Sequence, residues 1–383
     1  MRILFLCGSL EPGRDGVGDY CQRLASELYL QGHETALLGL NDIYLQNDLV
    51  LGRQTETGIS LPQLRLTAFQ PDNIRFKKAK DWIENFNPDW VSLQFVIFSF
   101  HPKGLPLQLA RNLLTLNGKW QWHIMFHELW VGKNTNRSIK LVIWGHLQRK
   151  IIKQLILTLK PTRIDTHTRI YQAQLKKNGF DAGYLPLFGN IPVHNSIKNN
   201  SKAESHVNSK QVIRLVIFGS ILSSTLAEEF AQEAAAYAHE FKKEISLTIV
   251  GISGPENKKW ESAFQSAGLE TEILGEQPSE IISDILGRST LGISTVPVVA
   301  AEKSGTIAAM REHGLSVLSV SLPWKASKEL EFNPIPGIVQ YKPGIFKKVL
   351  EKNNDDPRST NVKLVAAELV NSFIVTNEGI LQT

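Results

Sequence analysis

Short apolar, partly β-branched runs alternate with helix-length amphipathic stretches along this chain, in two series separated by one polar break. The first series reads as strands at Arg2–Cys7, Thr35–Leu38, Trp90–Phe95, Trp120–Phe126 and Arg163–Thr166, with helices over Tyr20–Leu30 and near Arg75–Asn85. Leu185-Pro186-Leu187 reads as its last strand. The break, Asn195–Lys210, is Asn, Ser, Lys, Glu and His with little apolar content, the composition of a linker. The second series has strands at Val212–Phe218, Ser246–Val250, Glu272–Leu274, Leu291–Ser294 and Ser316–Val320. Its helices fall over Ala227–Phe241, Lys258–Ala267 and Ile307–His313, and a last one closes the chain near Leu364–Val375. Runs this short and apolar suit strands buried on both faces, and strand–helix alternation argues for parallel sheets covered by helices.

The 383 residues are enough for two domains of roughly 100–200 residues each. The expected division is a first domain over 1–194, the linker 195–210, a second domain over 211–360 and a closing helical segment, 361–383, that packs back on the first. Cys7 and Cys21 are the two cysteines, which gives no disulfide framework and fits a reduced compartment. The first apolar run is too short for a signal peptide and no run reaches the ~18 residues of a membrane span, so a cytoplasmic location is expected.

The net charge of +5 matters less than where it sits. From Glu128 to Asp165 no acidic residue intervenes, while Lys133, Arg137, Lys140, Arg149, Lys150, Lys153, Lys160 and Arg163 do. Apolar residues such as Ile139, Val142, Ile143, Leu147, Ile151 and Leu155 interleave with them. Two readings stand: a core-facing helix with a solvated basic face, or a segment over residues 137–160 that lies on an anionic membrane surface. The second would make the protein peripheral at the inner membrane face. Nucleic acid is not an expected partner.

In open parallel sheets, ligands bind beyond the carboxyl ends of the strands, so the segments after strands are where chemistry is sought. After the first strand comes Gly8 to Tyr20, with Gly16 and Gly18 opening a helix. Glycines let a ligand approach the backbone, and a helix start attracts anions. The G-x-G-x-x-G fingerprint fails because Cys21 holds its third glycine position, and Leu40 ends the second strand with Asp42 beyond it, so NAD is not expected. His127, in Phe126-His127-Glu128, ends a strand and is either a core histidine or a group reaching a substrate; His-Glu without His at Val131 is not a zinc-protease motif. Between Thr295 and Thr306 a strand leads to a helix. Lys303-Ser304 looks like a P-loop fragment, but Glu302 stands where the Walker glycine is required. Ser304, Gly305 and Thr306 at that helix start suit phosphate oxygens, with Lys303 adding charge, Glu302 accepting from sugar hydroxyls, and a simple helix cap as the alternative. Gly219-Ser220 follows the first strand of the second series and offers a weaker backbone site.

With these residues in view, the chain resembles retaining glycosyltransferases of the GT-B fold, in the large group called family 4. The resemblance spans nearly the whole length. It rests on Asp15-Gly16-Val17-Gly18-Asp19-Tyr20, on His127-Glu128, on Leu185-Pro186-Leu187-Phe188-Gly189-Asn190-Ile191-Pro192, and on the segment from Glu302 to Gly314. It departs in two places. The second glutamate of the family's E-x7-E pattern falls on Met310 or Ala309, and Gly219-Ser220-Ile221-Leu222 replaces the usual basic pair.

The resemblance implies an α/β chain of two Rossmann-like domains facing across a cleft. It implies transfer of a sugar from a nucleotide diphospho-sugar to a saccharide or lipid-linked acceptor with retention, as in polysaccharide biosynthesis. No cofactor and no metal are expected, since no D-x-D motif is present (Asp355-Asp356 is adjacent). His127 and Glu302 are the expected catalytic residues. Gly16, Gly18, Gly219, Ser220, Lys303, Ser304, Gly305 and Thr306 are expected to bind donor phosphate. Gln94 and His101 are expected on the acceptor side. The competing expectations are an inactive relative that binds sugar nucleotide or a partner, and another two-domain enzyme such as a sugar-nucleotide epimerase.

Overall fold

The computed structural model describes residues 1–54, 60–132, 139–194, 212–322, 335–351 and 360–381. The expected linker 195–210, Lys133, Arg137 and Asp355-Asp356 lie outside them. The chain divides into two compact units. The first gathers Met1–Pro186 with Val362–Thr383, and the second begins at Leu187.

The first unit is built in the order β1 (Arg2–Cys7), α1 (Gly16–Leu30), β2 (Glu34–Asp42), β3 (Leu49–Gln54), β4 (Ser60–Thr67), α2 (Asp72–Phe86) and β5 (Trp90–Phe95). After a 3-10 turn, Ile97–Ser99, come α3 (Leu109–Leu114), β6 (Gln121–Phe126), α4 (Ile139–Leu159), β7 (Arg163–Thr166), α5 (Arg169–Lys177) and β8 (Gly183–Tyr184). The strands form one sheet in the order β3-β4-β2-β1-β5-β6-β7-β8. It is parallel except for the β3–β4 pair. Ile3 to Cys7, Val91, Leu93 and Phe95 are fully buried, as expected of central parallel strands.

Four local readings change. The first helix starts at Gly16 rather than Tyr20, because Asp15 caps it. The second strand runs on to Asp42, so an acidic residue does close it. That carboxylate is buried and committed: Arg65 Nε donates to Asp42 Oδ2 at 2.7 Å and the Tyr44 amide donates to Oδ1 at 3.0 Å. Leu185-Pro186-Leu187 is not a strand; the Leu185 amide donates to Thr166 O at 3.0 Å, and Pro186 then has no amide to continue the ladder. The antiparallel pair β3–β4 had no counterpart in the sequence reading, since Gln63 and Arg65 break its apolar pattern, yet both are buried.

The second unit runs β9 (Val212–Phe218), α6 (Ala227–Phe241), β10 (Glu244–Val250), α7 (Asn257–Ser266), β11 (Glu270–Gly275), α8 (Ser279–Arg288) and β12 (Leu291–Ser294). A 3-10 turn, Val298–Lys303, leads into α9 (Gly305–Glu312), followed by β13 (Val317–Ser319), β14 (Ile338–Gln340) and α10 (Phe346–Glu351). Its sheet is parallel in the order β11-β10-β9-β12-β13-β14. Phe230, Trp260, Phe264, Tyr341 and Phe346 form an aromatic core on one side, with Glu233 accepting from the Tyr341 hydroxyl at 2.8 Å and the Phe346 amide at 3.0 Å.

The closing helix, α11 (Val362–Leu381), belongs to the first unit. Phe373 lies stacked on Trp90, ring centroids 4.0 Å apart, and both are fully buried.

Candidate functional site

Chain order fixes where a ligand can enter the second sheet. From β9 the chain builds outward to β10 and β11, then returns to the other side of β9 with β12. The helices that follow β9 and β12 therefore leave in opposite directions and open a crevice at the carboxyl ends of these two strands. Gly219-Ser220 follows β9, and the segment from Thr295 to Thr306 follows β12.

The structure brings these two segments into contact. A β-carbon built on Gly219 would meet Thr306 Cγ2 at 2.6 Å, and Gly219 has φ +81°, so both space and backbone demand glycine. The Gly219 amide is used by Val250 O at 2.9 Å, which leaves the Ser220 amide for this turn to offer. Ser304 caps α9: its Oγ accepts from the Ile307 amide at 3.4 Å and lies 3.0 Å from Thr306 Oγ1. The Gly305 and Thr306 amides occupy the first turn, where a helix has no acceptor of its own for them. Lys303 is exposed at the end of the 3-10 turn, beside a half-buried Glu302.

Asn190 Nδ2 stands 3.9 Å from the β-carbon position of Gly305. Its segment crosses α9 so closely that a β-carbon on Gly189 would meet Ala309 Cα at 2.5 Å, and the Gly189 amide donates to Glu312 Oε1 at 2.7 Å. Asn190 was missed as a site candidate; a Gly-Asn pair after a buried aromatic was the signal available. At the two positions where a second glutamate was expected the residues are buried. Ala309 and Met310 face the apolar core, and Glu312 supplies the carboxylate at this end of α9.

In the first unit the glycine-rich loop is arranged differently. Asp15 Oδ1 accepts from the Val17 amide at 2.9 Å and the Gly18 amide at 3.0 Å. Two of the amides that would meet a phosphate on α1 are thus taken by a carboxylate of the same charge sign. Burial raises the Asp15 pKa, and the two backbone bonds work against that rise. Gly18 is required by packing, since a β-carbon there would stand 2.6 Å from Ser9 O; Gly16 has nothing within 4 Å.

His127 sits at the end of β6, 6% exposed. It begins a chain of polar contacts through the sheet. His127 Nε2 is 2.8 Å from Gln94 Oε1, Gln94 Nε2 is 2.6 Å from Ser92 Oγ, and Ser92 Oγ is 2.7 Å from His123 Nδ1. His123 Nε2 then lies 3.2 Å from Asp165 Oδ2 in poorly aligned geometry. Arg163 grips that carboxylate with two bonds, at 2.9 and 2.8 Å. Burial disfavours the Asp165 anion, but the neighbouring His123 and the Arg163 guanidinium outweigh it and hold its pKa down. Burial, then the neighbouring His167 and His123, push the His127 pKa well below its ordinary value, so its ring is neutral. A neutral ring that donates from Nε2 to Gln94 keeps Nδ1 as a lone-pair acceptor. Gln94 therefore lines no surface: it is 1% exposed and bonded at both ends of its amide.

His101 lies on the segment after β5, its Nδ1 accepting from the Lys103 amide at 3.1 Å and the Leu105 amide at 3.3 Å. It borders a groove of about 400 Å³ lined by Asn41, Asp72, Arg75, Phe100, Leu107 and Asn112, among others. Asn112 Nδ2 donates to Asp72 Oδ2 at 2.7 Å, and Arg75 Nη1 donates to Leu40 O at 3.1 Å. Arg75 is 8% exposed and its Nε has no acceptor among the described residues.

No protein-family model and no curated protein matches the chain. Solved structures do, and along the full length. The chain is similar to a glycosyltransferase from Rickettsia africae, at 13% identity and a TM-score of 0.57 over 98% of each chain. It is similar to Anabaena Alr3699/HepE in complex with UDP and glucose, at 15% identity and a TM-score of 0.53 over 100% of this chain and 98% of that one. A UDP-GlcNAc 2-epimerase from Neisseria meningitidis, bound to UDP-GlcNAc, matches at 10% identity and a TM-score of 0.53 over 98% of this chain and 100% of that one. At such identities the likeness is one of fold: two α/β domains, each with a largely parallel sheet, in the GT-B architecture.

Proposed function

We propose that the chain is a glycosyltransferase, moving a sugar from a nucleotide diphospho-sugar to a saccharide or lipid-linked acceptor with retention of configuration. One observation carries the reading: Gly219-Ser220 and Ser304–Thr306 meet at the β9–β12 crevice, with first-turn amides of α9 at that edge. A leaving diphosphate gathers negative charge as the glycosidic bond breaks, and oriented amides at a helix start stabilise such charge without reorganising. Lys303 adds a cation on the same segment, and Glu302 accepts from sugar or ribose hydroxyls. His127 meets the sugar as a neutral hydrogen-bond partner, not as a cation. The acceptor's polar part enters the groove at His101, where Asp72 and Asn112 offer paired hydrogen-bonding groups and Phe100 an apolar face. Two proteins of the same fold, HepE and the meningococcal epimerase, carry UDP or a UDP-sugar, which supports the donor class.

The experiment is a thermal-shift panel of sugar nucleotides followed by product analysis of the best binder. Transfer is read as release of nucleoside diphosphate together with a glycosylated acceptor. Stabilisation with no release would leave a non-catalytic binder. Conversion of the sugar nucleotide to its epimer, nucleotide still attached, would instead favour the epimerase chemistry of the neighbouring fold.

A further inference from the structure

The 21 residues of α4 contain no acidic side chain, and the helix packs beside α3 into the first unit's core with one face. That face is Gly145, Gln148, Ile151, Ile152, Leu155, Ile156 and Leu159. It is complete in itself: the four isoleucines and leucines at 151, 152, 155 and 156 join the main core, and Gln148 Oε1 accepts from the Val131 amide at 2.9 Å. The remaining apolar residues of the helix therefore have no place in that core. Ile139 is 81% exposed, Ile143 55%, Leu147 40% and Leu157 57%. At 100° per residue these four fall with Lys150 and Lys153 on one arc of about 120°, opposite the packed face. Leu141 and Val142 add further exposed apolar area at the same end.

The same arc holds the polar His146 and Gln154, but four exposed isoleucines and leucines stand among them, more apolar area than a solvated basic face needs. We infer that the outward face of α4 is a docking surface for an anionic lipid bilayer. Charge selects this occupant. The face offers cations and no anion, and the whole stretch from Glu128 to Asp165 contains none. A second copy docked on this face by two-fold symmetry would set Lys150 and Lys153 against the same lysines. A bilayer surface supplies both things the face requires, an anionic layer for the ammonium groups and hydrocarbon just beneath it for Ile139, Ile143 and Leu147. The helix is about 31 Å long at 1.5 Å per residue, and no helix of the described residues is long and apolar enough to cross a membrane. The geometry is that of a helix lying in the interface plane.

The other side of α4 is tied to the groove. Trp144 Nε1 donates to Lys103 O at 2.8 Å, which fixes α4 to the loop whose next residues, Leu105 to Leu109, line that groove.

Vesicle flotation of the full chain tests this without nucleotide or sugar, so its outcome is independent of the transfer reading. The probes are phosphatidylcholine vesicles, alone or with about one third phosphatidylglycerol. The expected result is flotation with the anionic vesicles at low salt, at least about tenfold weaker on neutral vesicles and strongly reduced by about 0.5 M salt. Lys150→Gln with Lys153→Gln should weaken binding about tenfold or more, and Ile143→Ser with Leu147→Ser should weaken it while leaving the thermal melt unchanged, because those side chains are already exposed. Folded wild type that does not float, binding indifferent to lipid charge, or serine variants that bind as wild type would each overturn the inference. A concentration-dependent dimer in sedimentation, abolished by Ile143→Ser, would overturn it in favour of self-association.

Discussion

Thr306 Cγ2 stands 2.6 Å from where a β-carbon on Gly219 would lie, so the turn after β9 and the first turn of α9 fit together only because residue 219 has no side chain. Gly219→Ala adds that clash to an unfavourable left-handed backbone at φ +81°. It should cost about 1–3 kcal/mol and weaken UDP binding. Thr306→Ser in the same chain removes the clashing methyl but not the backbone strain, so the double variant should recover part of the loss. Urea denaturation and calorimetric titration read the two effects separately.

The proposed function gives Lys303 the diphosphate to hold. Lys303→Ala should weaken UDP binding by roughly tenfold, the scale of about 1.4 kcal/mol, and leave uridine binding nearly unchanged. Equal loss for both ligands would remove Lys303 from the phosphate.

His127 is held neutral by burial and by its histidine neighbours. The unfolded chain takes up a proton at about pH 6.5, whereas the folded ring does so only at much lower pH. Stability is therefore fully present above about pH 6.5 and falls as pH drops through the window below it. His127→Gln should show a shallower loss of urea midpoint between about pH 7.5 and pH 5 than wild type. His127→Ala should also lower turnover by about 10–100-fold, the scale of one lost buried hydrogen bond, without abolishing nucleotide binding.

The two glycines of α1 should respond oppositely. Gly18→Ala forces a β-carbon to 2.6 Å from Ser9 O and should destabilise by about 1–3 kcal/mol. Gly16→Ala meets nothing within 4 Å, and alanine is the better helix former, so stability should hold or rise by a few tenths of a kcal/mol. UDP affinity should be unchanged in Gly16→Ala, because Asp15 already occupies the Val17 and Gly18 amides of this helix start. A loss of UDP affinity with intact stability would place the phosphate here after all.

Phe373 joins the last helix to the first sheet by its stack on Trp90. Phe373→Ala should cost about 3–5 kcal/mol, the penalty for emptying a fully buried aromatic site. Removing α11 altogether should leave the first unit unstable in the same assay. A shift below about 1 kcal/mol would mean that this contact contributes little.

The sequence by itself determined the two βα series, because central parallel strands must be apolar on both faces and so stand out as short runs such as Ile3 to Cys7 and Val212 to Phe218. It also marked the segments that follow β1, β9 and β12, since glycine and hydroxyl residues at a strand-to-helix turn are visible one residue at a time. Only the tertiary structure decided which partners each of them has. Asp15 and Ser304 both cap helices after strands, yet Asp15 takes the Val17 and Gly18 amides with a carboxylate, while Ser304 takes the Ile307 amide with a hydroxyl. Gln94 reads as a residue at the end of a strand, and only the partners supplied by Ser92 and His127 show it locked inside. Both faces of α4 carry isoleucine and leucine; which of them the core covers is set by packing between residues far apart in the chain, and a hydrophobic count cannot see that. Local chemistry is written in neighbouring letters, whereas burial and partnership are properties of contacts that exist only once the sheets have formed.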